Sequence, residues 1–146
     1  QQTDTILEHI LEQLFTLCRE QYGNYVVQHV LEHGRDKDKK RAVALIQEHA
    51  SDLACHKYGS NVVEKALLLA DATERLQVAE SLFGLPIDPQ RLEHLVLDRF
   101  ANYVVQRVLE VADPALRSEM SRLLDGVRDW QQSSKNLWPK GKLRSA

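Results

Sequence analysis

The stretch EQYGNYVVQHVLEHG, residues 20–34, decides the fold of this chain because the chain contains it three times. It returns as HKYGSNVVEKALLLA at residues 56–70 and as DRFANYVVQRVLEVA at residues 98–112. The positions that stay alike in the three copies and the positions that vary can be interpreted separately. The copies therefore serve as an alignment that is internal to the chain.

The copies recur at a period that is typical of stacked helix pairs. Asn24 and the equivalent Ser60 are 36 residues apart, and Ser60 and the equivalent Asn102 are 42 residues apart. Apolar residues follow a helical period within each copy and in the segment before it. One such unit cannot bury its own apolar face, and about three stacked copies are needed for stability. The sequence therefore predicts an all-α solenoid.

The segments between the copies predict further helices. Residues 5–21 carry apolar side chains at helical spacing and predict one amphipathic helix. Asp71 and Asp113 are predicted N-caps, the second followed by Pro114 at the first helical position. The helix after Asp113 is expected to cap the end of the stack. Two prolines and a glycine in GLPIDP, residues 84–89, predict a loop that lengthens the third unit.

One set of motif positions is apolar or aromatic in all three copies and is predicted to form the core. Its members are Val26, Val27, Val30, Leu31, Val62, Val63, Ala66, Leu67, Val104, Val105, Val108 and Leu109, with the aromatic residues Tyr22, Tyr58 and Phe100.

Composition limits the class of protein. Hydrophobic residues make up 43% and charged residues 27%, with 6 Gly and 4 Pro, which is typical of a soluble helical protein. The net charge of −2 gives no overall indication of nucleic acid, so any RNA binding must be local. Cys18 and Cys55 are predicted to be buried, reduced thiols of an intracellular protein. The chain begins QQTDT without a methionine, which suggests a piece of a longer polypeptide.

The remaining motif positions are polar. In the first copy they are Asn24, Tyr25 and Gln28. Asn24 and Gln28 are four residues apart, so their side chains share one helical face, away from the valines. A solvated surface would explain polar residues on any helix. However, lysine and glutamate are the usual surface residues, whereas short amides recur here beside a tyrosine.

The motif versions NYVVQ, SNVVE and NYVVQ, each preceded by an aromatic and a small residue, resemble the base-reading helices of Pumilio-type (PUF) repeats. The resemblance covers about residues 5–124 and implies a right-handed α-solenoid. It implies Pumilio repeats at 1–35, 36–71 and 72–112, the third with the extended loop 84–89, followed by a capping helix and tail at 113–146. These would be the C-terminal repeats of an eight-repeat domain, with the RNA strand antiparallel to the repeats.

The resemblance also implies roles for individual residues. The first and fifth motif residues would contact base edges, and they are Asn24, Gln28, Ser60, Glu64, Asn102 and Gln106. The second motif residue would stack on a base, and the three are Tyr25, Asn61 and Tyr103. Three cations flank these positions and are candidate phosphate contacts: Lys57, Lys65 and Arg107.

The chemistry of these side chains predicts the bases. Uracil has an N–H donor between two carbonyl acceptors, and a pair of amides such as Asn24 and Gln28 supplies the complementary donors and acceptor. Guanine presents two N–H donors side by side, which the carboxylate of Glu64 can accept, with Ser60 assisting. The three repeats therefore predict 5′-UGU-3′, a word that is the same in either direction.

The predicted function is sequence-specific binding of single-stranded RNA at a UGU core in mRNA 3′ untranslated regions. Its expected outcome is post-transcriptional regulation through translation repression or mRNA decay, in the cytoplasm. The loop residues Leu85, Pro86 and Ile87 are a candidate docking site for a protein co-regulator on the outer surface. The alternative for this loop is a plain connector.

Two other functions stay open at this point. A helical-repeat scaffold of armadillo or HEAT type would bind a peptide along the polar motif positions. A divergent PUF-like protein would handle ribosomal RNA with little choice of base. No catalytic motif is present, and no metal or cofactor is expected, since the pair His29 and His33 lacks a third ligand. Residues 127–146 lose periodicity and do not resemble the usual end of a Pumilio domain; their cations are equally compatible with RNA contact and with solvation.

Overall fold

The structure, a computed structural model, describes residues 2–127. The tail predicted at 127–146 therefore lies, beyond Val127, outside the described residues. Ten helices and no strand form the described part of the chain. They are α1 (Gln2–Glu12), α2 (Leu14–Cys18), α3 (Gly23–His33), α4 (Asp36–Glu48), α5 (Ala50–Ala54), α6 (Gly59–Leu69), α7 (Ala72–Phe83), α8 (Pro89–Leu97), α9 (Ala101–Val111) and α10 (Pro114–Asp125).

The helices form three units of three, with α10 at the end. In each unit the third helix carries a copy of the motif, so α3, α6 and α9 are called the motif helices. The motif helices pack side by side, α3 against α6 and α6 against α9. The longer helices α4 and α7 pack against each other, and the short helices α2, α5 and α8 each pack on the motif helix that follows. The predicted all-α solenoid is confirmed.

The prediction of one helix over residues 5–21 is wrong. Gln13 interrupts it with φ −100° and ψ 10°, which separates α1 from α2. The same break recurs in the second unit, where His49 separates α4 from α5 with φ −117° and ψ 20°. The break turns a short helix onto the motif helix, and Leu14 and Cys18 are thereby buried. A period count does not detect a one-residue break, because both pieces keep helical spacing.

The predicted aliphatic core is confirmed except at the start of the stack, whereas the aromatic residues Tyr58 and Phe100 are only partly buried and lie outside the core cluster. Val62 and Val104 are 0% and 1% exposed, because a preceding motif helix covers each of them. The equivalent Val26 is 41% exposed and Tyr22 is 76% exposed, so their assignment to the core is wrong. No motif helix precedes α3 among the described residues, and side chains of α1 border this surface. Val26 therefore lines an open apolar surface with Ile6.

Side chains satisfy the backbone groups at the helix ends. The predicted N-caps Asp71 and Asp113 accept hydrogen bonds from the backbone N–H groups of Glu74 and Leu116, both at 2.8 Å. The Glu74 side chain in turn accepts from the Asp71 N–H at 3.0 Å, which completes a capping box.

At the opposite ends, arginines from the following helix bind carbonyls in the last turn of two motif helices. Nε of Arg75 donates to the Leu67 carbonyl at 3.0 Å, and Nε of Arg117 donates to the Leu109 carbonyl at 2.9 Å. A cation at a helix C-terminus also complements the helix dipole. Each of these arginines therefore ties a motif helix to the helix that follows it.

The turns before α6 and α9 are each held by a side chain two residues ahead of the aromatic residue. In the third unit, Oδ1 of Asp98 accepts from the backbone N–H groups of Phe100 and Ala101, both at 2.8 Å. In the second unit, Nδ1 of His56 accepts from Tyr58 at 3.1 Å and Gly59 at 3.2 Å. Both side chains act as acceptors for N–H groups that the first helical turn leaves unpaired.

The loop at 84–89 forms as predicted, but only part of it is exposed. Gly84 ends α7 with φ 78°, a left-handed conformation that favours glycine. Leu85 is 37% exposed, whereas Ile87 is only 8% exposed and belongs to the hydrophobic core. Ile87 is therefore not available to a protein partner, and this part of the predicted docking site is wrong. The reason is that Ile87 belongs to the same hydrophobic core cluster as Phe83 of α7 and Leu92 of α8.

The cysteines are free thiols. Cys18 is buried as predicted, and burial raises its pKa to about 12. Cys55 is only partly buried, which corrects the prediction, and desolvation followed by the proximity of Asp98 raises its pKa to about 11. Both sulfurs are therefore protonated at neutral pH. Among the described residues, no helix combines the length and the apolar character that crossing a bilayer requires.

The stacking of repeats predicts unequal effects for two equivalent valines. Val62→Ala removes methyl groups that are buried between α3 and α6, and we expect it to lower the free energy of unfolding by about 2 kcal/mol. Val26→Ala makes the same chemical change on an open surface and should cost less than about 0.5 kcal/mol. Urea unfolding monitored by circular dichroism measures both. Equal costs would contradict the packing described here.

The turn before α9 predicts a second pair of variants. Asp98→Ala removes the acceptor for two backbone N–H groups and should lower the free energy of unfolding by about 1 kcal/mol. Asp98→Asn keeps an acceptor oxygen and should cost clearly less. The same unfolding assay compares the two. If Asn is as destabilising as Ala, the negative charge rather than the hydrogen bonds supports the turn.

Candidate nucleic-acid interface

The packing of the three motif helices arranges the predicted site residues in a row. The second motif residues are exposed: Tyr25 by 65% and Tyr103 by 48%, with Asn61 between them also exposed. They lie on α3, α9 and α6 respectively, so the order along the chain is the order across the surface. We call this surface the motif face. It offers two aromatic rings on either side of an amide.

The first motif residue of the first copy lies beneath the motif face. Asn24 is 1% exposed, and its Nδ2 donates to the carbonyl oxygens of Glu20 and Gln21, both at 2.8 Å. Its Oδ1 accepts from Nε2 of Gln28 at 3.0 Å. Asn24 therefore uses both N–H donors on the turn before α3 and holds Gln28 by its oxygen.

The third copy repeats this arrangement. Nδ2 of Asn102 donates to the carbonyl oxygens of Asp98 at 2.9 Å and Arg99 at 3.0 Å. Nε2 of Gln106 donates to Oδ1 of Asn102 at 3.2 Å. Two copies separated by a whole repeat therefore build the same amide pair. The motif spacing predicts that the two amides share one helical face, but it shows neither their mutual hydrogen bond nor that the first amide is bound to the turn.

The middle copy differs chemically. Ser60 is 5% exposed, and its Oγ donates to the Lys57 carbonyl at 3.3 Å. This hydrogen bond ties Ser60 to the turn before α6. The side chain of Glu64 is 23% exposed, and it stands where the other two copies have glutamine. A carboxylate accepts hydrogen bonds and donates none when ionised. The row therefore presents an amide, a carboxylate and an amide.

Ion pairs join the motif helices across the repeats. Nζ of Lys65 on α6 contacts Oε1 of Glu32 on α3, and this ammonium holds the pKa of Glu32 below its usual value. Nη2 of Arg107 on α9 lies 3.5 Å from Oε1 of Glu64 on α6. Two of the three predicted phosphate contacts, Lys65 and Arg107, are thus paired with carboxylates.

The third predicted phosphate contact, Lys57, is exposed, and its Nζ lies 5.4 Å from the centre of the Tyr58 ring. Arg99 occupies the equivalent place in the third unit, with its guanidinium carbon 4.4 Å from the Phe100 ring centre. A cation over an aromatic face is a favourable contact. Arg99 was missed from the sequence, although the alignment of the copies places it opposite Lys57.

The histidines do not assemble a metal site within the described residues. The rings of His29 and His33 lie 4.8 Å apart, at an angle of 48°. Between residues 2 and 127, no group of three His, Cys, Asp or Glu side chains could hold a metal ion. The motif face itself offers hydrogen bonds, aromatic surface and charge, which are the means of binding a polar planar ligand.

Comparison with known families gives two matches along the chain. Residues 2–85 match a NOP9-like PUF repeat domain. Residues 92–121 match the Pumilio-family RNA binding repeat. The second match includes all of α9.

Curated relatives carry the same family name. A Pumilio domain-containing protein of Schizosaccharomyces pombe is 33% identical over 119 residues, which are 82% of this chain and 17% of that protein. Pumilio homolog 1 of Arabidopsis thaliana is 38% identical over 112 residues, which are 77% of this chain and 12% of that protein. The chain thus spans less than a fifth of the length of either relative.

Solved structures share the fold. The crystal structure of PUF-8 in complex with PBE-RNA matches with a TM-score of 0.77 and 27% identity, over 93% of this chain and 42% of that one. The Puf4 RNA binding domain bound to a 3′ UTR recognition sequence of HO endonuclease RNA matches with a TM-score of 0.71 and 26% identity, over 85% of this chain and 40% of that one. The predicted right-handed solenoid is confirmed by this likeness. Because a PUF family model covers more than half of the residues and the motif recurs on three stacked helices, the chain belongs to the Pumilio-type (PUF) repeat family.

Proposed function

We propose that this chain binds single-stranded RNA along the motif face and recognises a 5′-UGU-3′ core. The observation that carries the proposal is the order of the fifth motif residues, Gln28, Glu64 and Gln106, on three helices packed side by side. Each lies beside an exposed second motif residue that a base can stack on. PUF repeats recognise RNA with about one base for each repeat.

Glutamine is suited to uracil because it has both kinds of hydrogen-bonding atom. In the unbound chain, Gln28 spends one Nε2 hydrogen on Asn24. Its Oε1 and second Nε2 hydrogen can then meet the N–H donor and one carbonyl of uracil. Gln106 is related to Asn102 in the same way. The first and third repeats are proposed to bind uracil for this reason.

In this proposal Asn24 has two roles: it contacts the base edge, and it holds Gln28 in place. Asn24 must exchange one of its two hydrogen bonds to the turn before its Nδ2 can donate to the second uracil carbonyl. Until then it fixes the rotamer of Gln28 through its Oδ1. A base-binding side chain that is already held in one rotamer loses less conformational entropy when RNA binds.

Glutamate is suited to guanine for the complementary reason. The two carboxylate oxygens of Glu64 can accept the adjacent N1–H and N2–H donors of guanine in a charge-assisted pair. Adenine has an acceptor at N1, and uracil has carbonyl oxygens on both sides of its donor, so both would face repulsion from the carboxylate. Ser60 adds a hydroxyl on the same helical face, four residues away.

Stacking supplies affinity that does not depend on the base. Tyr25 and Tyr103 each offer a ring to a base, a contact worth roughly 1–3 kcal/mol. Asn61 offers less surface at the central position. Lys57 is a candidate phosphate contact because its ammonium is exposed, whereas Lys65 would first have to leave Glu32.

The proposed biological role is post-transcriptional regulation in the cytoplasm through mRNA 3′ untranslated regions, by translation repression or mRNA decay. Support comes from the Puf4 RNA binding domain, 26% identical, whose structure contains a 3′ UTR recognition sequence. The PUF-8 structure likewise contains RNA. This chain corresponds to 40% of the Puf4 chain and 42% of the PUF-8 chain, so longer targets are expected for a longer protein.

A second candidate function is binding of ribosomal RNA with little choice of base. The observation that favours it is the match of residues 2–85 to a NOP9-like PUF repeat domain. The order of amide, carboxylate and amide at the fifth motif position favours UGU instead, because a protein without base preference has no need of this order. The armadillo or HEAT peptide scaffold has no such support from the family matches.

The exposed part of the loop is proposed to contact a protein co-regulator. Leu85 is 37% exposed and Pro86 is exposed beside it, whereas Ile87 is buried. Any such contact is therefore made by Leu85 and Pro86 alone.

The base code predicts a reversal of preference. We expect the wild-type chain to bind UGU more tightly than UUU by about 1–3 kcal/mol, by analogy with other base-edge contacts. Ser60→Asn combined with Glu64→Gln gives the middle repeat the amide pair of its neighbours and should reverse this order. Fluorescence anisotropy with short RNAs that contain UGU, UUU or AGU and are otherwise identical measures the dissociation constants.

A matched control makes the same chemical changes away from the motif face. Ser118→Asn with Glu80→Gln alters exposed residues of α10 and α7 and should leave the preference for UGU unchanged. Equal affinity of the wild-type chain for the three RNAs would reject the base code and favour the second candidate. Absence of binding to all three would reject the proposed function.

The loop proposal predicts that Leu85→Ser with Pro86→Gly abolishes co-purification of a protein partner while RNA affinity is retained, since Ile87 still anchors the loop. The measurement is a pull-down with the wild-type and variant chains, analysed by mass spectrometry. Identical sets of bound proteins would identify the loop as a plain connector.

A further inference from the structure

Arg107 is the cation most closely associated with a proposed base-binding residue. It lies on α9 immediately after Gln106, and only 23% of its side chain is exposed. Nη1 lies 2.5 Å from Oε2 of Glu110, and Nη2 lies 3.5 Å from Oε1 of Glu64 on the neighbouring α6. Its Nε is buried and has no hydrogen-bond partner among residues 2–127. The guanidinium is therefore directed at two carboxylates rather than at solvent.

The equivalent cation of the middle repeat shows what is particular about this contact. Lys65 occupies the motif position of Arg107 and also contacts an acid on the preceding motif helix. That acid is Glu32, which lies four residues beyond the fifth motif residue. In the middle repeat the position of Glu32 is occupied by Leu68, which carries no charge. The acid that Arg107 reaches on the preceding helix is therefore the fifth motif residue itself, Glu64.

We infer that Arg107 determines the preference for guanine at the second base, by orienting the Glu64 carboxylate from the neighbouring repeat. This inference rests on the proposed function, in which Glu64 accepts two N–H donors of guanine. Only the ionised carboxylate accepts through both oxygens, since a protonated one carries a donor. A guanidinium nitrogen 3.5 Å from Oε1 attracts the carboxylate and restricts its rotation.

Specificity at the middle base thus depends on two adjacent repeats. The base-binding side chain belongs to α6, and the residue that positions it belongs to α9. The carboxylate retains enough acceptor capacity for a base, because an ionised carboxylate has about four lone-pair sites. Arg107 is accordingly a positioning residue and does not need to contact RNA.

This role differs measurably from the phosphate contact that the sequence predicts for Arg107. A phosphate contact strengthens binding to all RNAs alike, and its loss reduces the slope of log K against log salt by about 0.7 for a single strand. A positioning residue for Glu64 changes the ratio of affinities for UGU and UUU and leaves the salt slope nearly unchanged. The two roles are therefore separated by one set of titrations.

The experiment measures affinities for UGU and UUU RNAs by fluorescence anisotropy at several salt concentrations, using the wild-type chain, Arg107→Gln and Arg107→Lys. We expect Arg107→Gln to reduce the UGU to UUU affinity ratio roughly five-fold, the effect of losing one partly exposed ion pair. Arg107→Lys keeps the charge and should retain most of the ratio. Arg122→Gln is the matched control, because its partner Glu119 lies on α10 and is not a base-binding residue, and it should change the ratio less than about two-fold.

A double-mutant cycle tests the route through Glu64. In the Glu64→Gln background, the further change Arg107→Gln should have no effect on the ratio, because the carboxylate that it positions is gone. A wild-type preference for UGU that survives unchanged in Arg107→Gln overturns this inference and leaves the proposed function intact. A uniform loss of affinity with a lower salt slope does the same and identifies Arg107 as a phosphate contact. A wild-type chain without preference for UGU overturns the base code and this inference together.

Discussion

The structure depends on one constraint, which is that no motif helix can bury its apolar face within its own repeat. Val62, Val63 and Leu67 are fully buried because α6 lies between two other motif helices. Where no preceding helix is present among the described residues, the same position is exposed, as Val26 shows. The fold is therefore a property of the stack, and its regular spacing follows from packing one copy of the motif on the next.

The stacking of the motif helices also sets the position of the polar motif residues. The buried valines determine which way each motif helix faces, and the residues on the opposite side are brought to a common surface. The first motif residue then binds the turn before the helix, through two hydrogen bonds in the case of Asn24 and one in the case of Ser60. The turn, the helix start and the adjacent polar side chain are thus held together. A proposed binding site gains precision when its side chains stand on such rigid supports.

On the motif face, positively charged side chains are paired with nearby carboxylates. Lys65 is paired with Glu32, and Arg107 with Glu64 and Glu110, so the motif helices contact one another through opposite charges. Net charge alone, which is −2, gives no indication of such an arrangement. In the proposed complex with RNA, stacking and base-edge hydrogen bonds contribute more than general attraction to phosphates, because most of the flanking cations already have partners.

Sequence alone determined the repeat, its helical class, the helix starts at Asp71 and Asp113 and the polar residues of the motif. All of these depend on local periodicity and on copies that can be compared directly. It did not determine the break at Gln13, the burial of Ile87 or the exposure of Val26, since each depends on what packs against that segment. The partner of Arg107 likewise belongs to the tertiary structure. The distance along the chain from Glu64 to Arg107 carries no information about their contact until α6 and α9 are packed side by side.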